Sequence, residues 1–245
     1  MISPLQNSQL IPPLCIEVWF CHIGNTSKDD ETAIESLLSA SEIARLDATK
    51  SNNKKREFLI SRALMRHALS QQFVIPENEW EFIDKPNYPP IVNNLPKDTY
   101  LSLSHSNGLI CFAISSSPVG IDLENLLTMR DYEALGEVVM NDEELKIITL
   151  NKNEQANNFY RLWCAKEAYY KAISRKKQLE TSLKKISVST LINDNKQWFL
   201  YEGKNQQFQL SLVIKNKPEI INYNHFPVSS NEQMFTLSLS DKFID

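Results

Sequence analysis

Asp122 and Glu124 stand two apart in Val119-Gly120-Ile121-Asp122-Leu123-Glu124, a run in which apolar and polar residues alternate. Alternation of this kind is strand geometry, so both carboxylates project from one face and Val119, Ile121 and Leu123 from the other. Adjacent carboxylates repel each other unless a cation lies between them, and hard oxygen donors of this type suit Mg²⁺. The same D-x-E spacing also occurs on strand faces that merely meet solvent, so the pair needs company. A second segment supplies it. Phe159, Leu162, Ala165, Tyr169, Ala172 and Ile173 form an apolar arc at helical spacing, with Trp163, Glu167 and Lys171 in a row at its edge. Lys166 points back across the arc, an odd place for a charge on a helix that only packs. Glu167 and Lys171 are equally spaced as an ordinary i, i+4 ion pair, and Trp163 as an ordinary core residue.

The elements that must position these residues are readable in outline. Residues 14–23 read as a strand, and 31–48 and 54–72 as helices. On the second helix Lys55, Arg62 and Arg66 make a cationic stripe beside the arc of Phe58, Leu64, Met65, Ala68 and Leu69. Basic side chains snorkelling from a surface helix give the same pattern. A proline-punctuated loop at 86–96 leads to strands at 100–104 and 109–114, joined by the turn signal Asn107-Gly108, and then to 119–124. Asn141 and Glu144 form a capping box that opens a helix, and a longer helix covers 154–174. Runs at 186–191, 197–202, 207–214 and 234–240 read as strands. The order strand, helices, strands occurs twice, which predicts an α+β fold of two similar halves, 1–117 and 118–245.

Composition excludes several classes. A formal charge of −4 argues against a general nucleic-acid binder, which would cluster Lys and Arg against phosphates. The 5 glycines never fall at the spacing of a dinucleotide fingerprint or a P-loop, so a phosphorylated ligand would have to be held by side-chain cations and a metal. Met1 to Pro13 has neither a basic start nor a long apolar core, which predicts no signal peptide and no membrane span. The 4 cysteines lack zinc spacing and fit a reducing cytoplasm.

Taken together, the segments resemble the 4′-phosphopantetheinyl transferase family. Gly120-Ile121-Asp122-Leu123-Glu124 is similar to its G-[IV]-D-x-E strand, and Trp163-Cys164-Ala165-Lys166-Glu167-Ala168-Tyr169-Tyr170-Lys171 to its W-[ST]-x-K-E-[AS]-x-x-K helix. Leu101-Ser102-Leu103-Ser104-His105-Ser106 resembles the [FL]-x-[IL]-S-H-S segment. Arg56-Glu57-Phe58 with Arg62 and Arg66 resembles the R-x-F…R-x-x-[LM]-R helix, and Asp84-Lys85-Pro86 the G-K-P loop. The order and gaps also agree. Cys164 departs from the usual Ser or Thr, and Asp84 from the loop glycine, which sets a negative charge beside Lys85.

The length is that of the Sfp type, in which two α+β halves of one chain hold coenzyme A in the cleft between them, and this implies a monomer. The resemblance implies an enzyme that moves the 4′-phosphopantetheine arm of coenzyme A to a serine of an apo acyl or peptidyl carrier protein, releasing 3′,5′-ADP. It implies Mg²⁺, or Mn²⁺, held by Asp122, Glu124 and Glu167, with Glu167 and Lys171 catalytic. It assigns coenzyme A phosphates to Arg56, Arg62, Lys85, Ser104, His105 and Lys166. A Mg²⁺-dependent phosphohydrolase and a non-catalytic binder of coenzyme A or carriers are the rival expectations. The basic run Arg175-Lys176-Lys177 with Lys184-Lys185 suits an acidic carrier, and equally a solvated loop.

Overall fold

The computed structural model describes residues 15–85, 88–193, 197–227 and 235–242. The expectations placed on Met1 to Pro13, on Pro86 and on Met234 lie outside the described residues.

Strand β1 (Cys15–His22) is followed by helices α1 (Lys28–Glu35), α2 (Ala40–Ala48) and α3 (Asn52–Phe73), then by the short strands β2 (Phe82–Ile83) and β3 (Ile91–Val92). The hairpin β4 (Tyr100–Ser106) and β5 (Leu109–Ser115) completes the first unit of chain. Strand β6 (Val119–Asn125) begins the second, followed by α4 (Tyr132–Val139), α5 (Asp142–Leu150), α6 (Gln155–Ala172), α7 (Arg175–Glu180) and α8 (Val188–Asn193). Strands β7 (Phe199–Lys204), β8 (Phe208–Ile214), β9 (Ile220–His225) and β10 (Ser238–Leu239) end the described chain. The architecture is mixed α+β, built on two four-stranded sheets ordered β4-β5-β1-β9 and β10-β7-β8-β6.

One connection recurs. In the first sheet β1 pairs antiparallel with β5, and β5 with β4. In the second, β6 pairs antiparallel with β8, and β8 with β7. Strand β9 joins the first sheet parallel to β1, so that sheet draws on both ends of the described chain.

Strand alternation assigns each face. Trp19, Cys21, Phe112 and Ile114 meet Ile60, Leu64 and Leu69 of α3. Their neighbours Val18, Phe20, Cys111 and Ala113 instead meet Ile121, Leu123, Leu210 and Leu212 of the second sheet. The far side of that sheet carries α6, through Phe159, Leu162, Ala165 and Ala168. The helices therefore lie outside and the two sheets between them.

Where the sheets meet, β4 and β6 are both edge strands, each with unpaired backbone groups. Serine hydroxyls of β4 join them. Ser102 Oγ accepts from the Ile121 N–H at 2.9 Å, Ser104 Oγ from Leu123 at 3.2 Å and Ser106 Oγ from Asn125 at 3.0 Å. This seam uses every second residue of both strands.

Three expectations need correction. The helix read over 31–48 is two helices, because Ser39 and Glu42 form a reciprocal capping box that starts α2 afresh. The strand read over 186–191 is helix α8: Ser187 Oγ accepts from the Thr190 N–H at 3.2 Å, and Val188, Leu191 and Ile192 share one buried helical face. The alternation of Ile, Val and Ser there mimicked a strand. Finally, Arg62 and Arg66 do not snorkel to a surface. Both are buried, and Glu42 pairs with each, at 3.1 and 2.6 Å.

Candidate active site

Helix α6 lies unusually close to β6 because Gly120 has no side chain. A Cβ built there would stand 1.9 Å from the Ala168 carbonyl oxygen and 2.7 Å from the Ala172 nitrogen. A glycine inside a strand marks such an approach. The contact sets Glu167 and Lys171, at the edge of α6, against the carboxylate face of β6.

Lys171 forms its ion pair with Asp122 and not with Glu167, four residues before it. Its Nζ donates to Asp122 Oδ1 at 2.7 Å, Ser104 Oγ at 3.1 Å and the Ile121 carbonyl at 3.2 Å. Burial works against this ammonium, but Asp122 outweighs it, and the Lys171 pKa is raised. Lys171 therefore stays charged at neutral pH. Ser104 Oγ donates to the same Asp122 Oδ1 at 2.9 Å, while Asp122 Oδ2 is buried without a hydrogen-bond partner. Burial, and then Asp122, push both the Glu124 and the Glu167 carboxyls above the ordinary range.

An orphaned carboxylate oxygen beside two carboxyls that resist ionising is the condition a divalent cation relieves. The donors are all hard oxygens, which fits Mg²⁺. Among the described residues, however, no three acidic, histidine or cysteine side chains already converge as a ligand cluster.

Glu167 and Lys171 open onto a cavity of about 620 Å³ that also meets Arg45, Arg62, His105 and Arg175. His105 Nδ1 lies 3.0 Å from Glu57 Oε1, and that hydrogen bond holds the Glu57 carboxyl below its ordinary range. Arg62 reaches the cavity, although its guanidinium is paired with Glu42 and with Asp84 at 2.9 Å. Asp84 also binds Arg45 at 2.8 Å and its side chain is 3% exposed, so its charge is spent on arginines rather than projected at a ligand.

Four expected phosphate contacts are placed elsewhere. The Ser104 hydroxyl faces Asp122 and Lys171. Arg56 turns to Glu31 at 2.6 Å and to the Thr26 carbonyl at 2.7 Å, along a separate groove. Lys85 is exposed and does not line the cavity. Lys166 is fully buried, 2.5 Å from Glu144 Oε2, and donates to the carbonyls of Val139, Leu183 and Ile186. Its charge serves the helix packing, which explains a lysine on an apolar arc. Gly120, Glu57 and Ser106 stand within the segments quoted above but carry no assigned role there, and Arg130 lies outside them; a lone glycine in an alternating strand is the local signal of close approach.

Two edge-joined sheets thus carry acidic and basic groups of one helix at their seam, beside a cationic cavity. Residues 118–226 match the family model of the 4′-phosphopantetheinyl transferase superfamily. The relatives agree. The 4′-phosphopantetheinyl transferase psf-1 of Bacillus pumilus is 28% identical over 47% of this chain and 49% of its own. Sfp of Bacillus subtilis is 28% identical over 46% and 50%, and HetI of a Nostoc species 28% over 61% and 67%. The matches to psf-1 and Sfp span about half the length of those relatives. Residues 118–226 are thus similar to the 4′-phosphopantetheinyl transferase superfamily, and the chain to relatives that include Sfp. No helix among the described residues is long and apolar enough to cross a membrane.

Proposed function

We propose that this protein transfers the 4′-phosphopantetheine arm of coenzyme A to a serine of an apo acyl or peptidyl carrier protein, releasing 3′,5′-ADP. The observation that carries the reading is that Glu167 and Lys171 line the cationic cavity while Lys171 also holds Asp122, whose second oxygen is buried without a partner. Phosphoryl transfer asks a protein mainly for positioning and charge neutralisation. Arg45, Arg62 and Arg175 supply positive charge along the cavity, and His105 a hydrogen-bonding ring, for the phosphates of coenzyme A.

Asp122, Glu124 and Glu167 would hold Mg²⁺ or Mn²⁺, which when bound neutralises pyrophosphate charge. The carrier serine oxygen forms the new bond to the pantetheine-side phosphorus, and the bond from that phosphorus to the oxygen of 3′,5′-ADP breaks. The serine proton passes to Glu167, the one of the three carboxylates that lines the cavity. Lys171, held protonated by Asp122, neutralises the departing phosphate. On this reading the protein acts as a monomer in the cytoplasm.

The test is incubation with coenzyme A, Mg²⁺ and a panel of apo carriers, followed by mass spectrometry of the carriers. A gain of one phosphopantetheine supports the proposal. Release of phosphopantetheine to water would mark a phosphohydrolase, and unchanged carriers and coenzyme A a non-catalytic binder. Lys171→Met is expected to lower turnover by about 10²–10³-fold, the usual cost of losing one transition-state donor. Glu167→Gln separates that residue's two roles, since loss of metal affinity with an intact rate at saturating Mg²⁺ would sink its role as base.

A further inference from the structure

We propose that Ser106 and Arg130 are positioning residues for Glu124, holding one of its carboxylate oxygens so that the other is presented to the cation. The inference rests on the cation site proposed above.

Both residues address the same oxygen. Ser106 Oγ donates to Glu124 Oε2 at 3.2 Å while accepting the Asn125 N–H at 3.0 Å. A hydroxyl that accepts from a backbone amide cannot turn freely, so its proton is aimed. Arg130 approaches Glu124 Oε2 through its terminal nitrogen at 3.4 Å and donates through Nε to the Tyr160 hydroxyl at 3.3 Å. Tyr160 is buried on α6 and itself donates to the Thr128 carbonyl, which anchors the arginine to the helix that carries Glu167.

The arrangement repeats one position away. Asp122 is held on Oδ1 by Ser104 and by the ammonium of Lys171, while its Oδ2 is left without a partner. In each case a β4 serine and one cation grip one oxygen. The matched period of the two edge strands produces this repeat, because Ser104 and Ser106 face Asp122 and Glu124 in register. Ser102 sits in the same seam and accepts the Ile121 N–H at 2.9 Å, yet the residue at the corresponding place on β6 is Gly120, which has no side chain to hold. It is therefore an internal control for the seam alone.

Groups that orient a metal ligand are worth about 10–100-fold in affinity. Mn²⁺ binding, followed by electron paramagnetic resonance of the free ion with and without coenzyme A, reads the effect without turnover. Ser106→Ala and Arg130→Gln are each expected to weaken Mn²⁺ binding about tenfold or more, and Ser106→Thr to restore most of it. Ser102→Ala should lower the thermal midpoint and leave Mn²⁺ affinity unchanged. If Ser102→Ala weakens Mn²⁺ as much as Ser106→Ala, the serines only stitch the sheets and the proposal fails. Wild-type affinity in Ser106→Ala and Arg130→Gln would also overturn it. No Mn²⁺ binding by the wild type in either arm would remove the cation site itself, and this inference with it.

Discussion

Gly120→Ala is expected to lower the proposed transfer activity by about a hundredfold or more, the cost of an ångström-scale misplacement of reacting groups. The added methyl would stand 1.9 Å from the Ala168 carbonyl oxygen and 2.7 Å from the Ala172 nitrogen, both backbone atoms of α6. A flexible side chain could swing aside, but a helix backbone has to move as a body. The movement would carry Glu167 and Lys171 away from Asp122, and the 2.7 Å contact between Lys171 and Asp122 would not survive it. Overpacking of this kind costs about 1–3 kcal/mol, and more where neither partner can yield. Gly136 is the comparison site. A Cβ there would meet the Leu145 Cδ1 atom at 3.0 Å, the far end of a side chain that can adjust. Thermal denaturation and turnover measured on both variants check the argument. A Gly120→Ala protein with near-native midpoint and rate would show that α6 is not seated on β6 as described.

The carboxylates were legible because period two is a local property: Asp122 and Glu124 share a face whatever the strand packs against. The apolar arc of α6 was legible for the same reason. What could not be read was where long-range partners lie. Ser102, Ser104 and Ser106 look like the solvent face of β4, yet they form the seam, since nothing local says that β6 arrives there with unpaired N–H groups. Arg62 and Arg66 look like surface cations until Glu42 is brought between them by the turn of chain into α2. The misread helix α8 is a different failure. Its start at Ser187 and its i, i+3, i+4 spacing of Val188, Leu191 and Ile192 were present, but the β-branched alternation outweighed them. Tertiary packing decided the conflict.

Lys166 puts the competing readings of one residue to a direct trial. If it gripped a phosphate, Lys166→Met would weaken coenzyme A binding and leave the free protein's stability alone. The structure predicts the reverse. The ammonium is fully buried, 2.5 Å from Glu144 Oε2, and within 3.0 Å of the carbonyls of Val139, Leu183 and Ile186. Burial lowers its pKa, and the hydrogen bond it donates to Glu144 opposes that shift. Removing the lysine strands the Glu144 charge and three carbonyls in a water-excluded site, and breaking such a pair costs about 3–5 kcal/mol. Glu144→Gln should also destabilise, because the Asn141 amide donates to Oε2 and the Val188 amide to Oε1, at 3.0 Å each, and a carboxamide keeps only one acceptor oxygen while leaving Lys166 without its counter-charge. The double variant is then the deciding measurement. Once Lys166 is methionine, changing Glu144 to Gln removes an unpaired buried charge, so the second substitution should restore part of the lost stability. Denaturant midpoints across this cycle, with coenzyme A affinity measured on the folded fraction, keep the two readings apart. A large coupling with unchanged affinity makes Lys166 the pin that holds α6 against α4, α5 and the turn at 183–186, whereas additive effects with lost affinity would return it to the ligand.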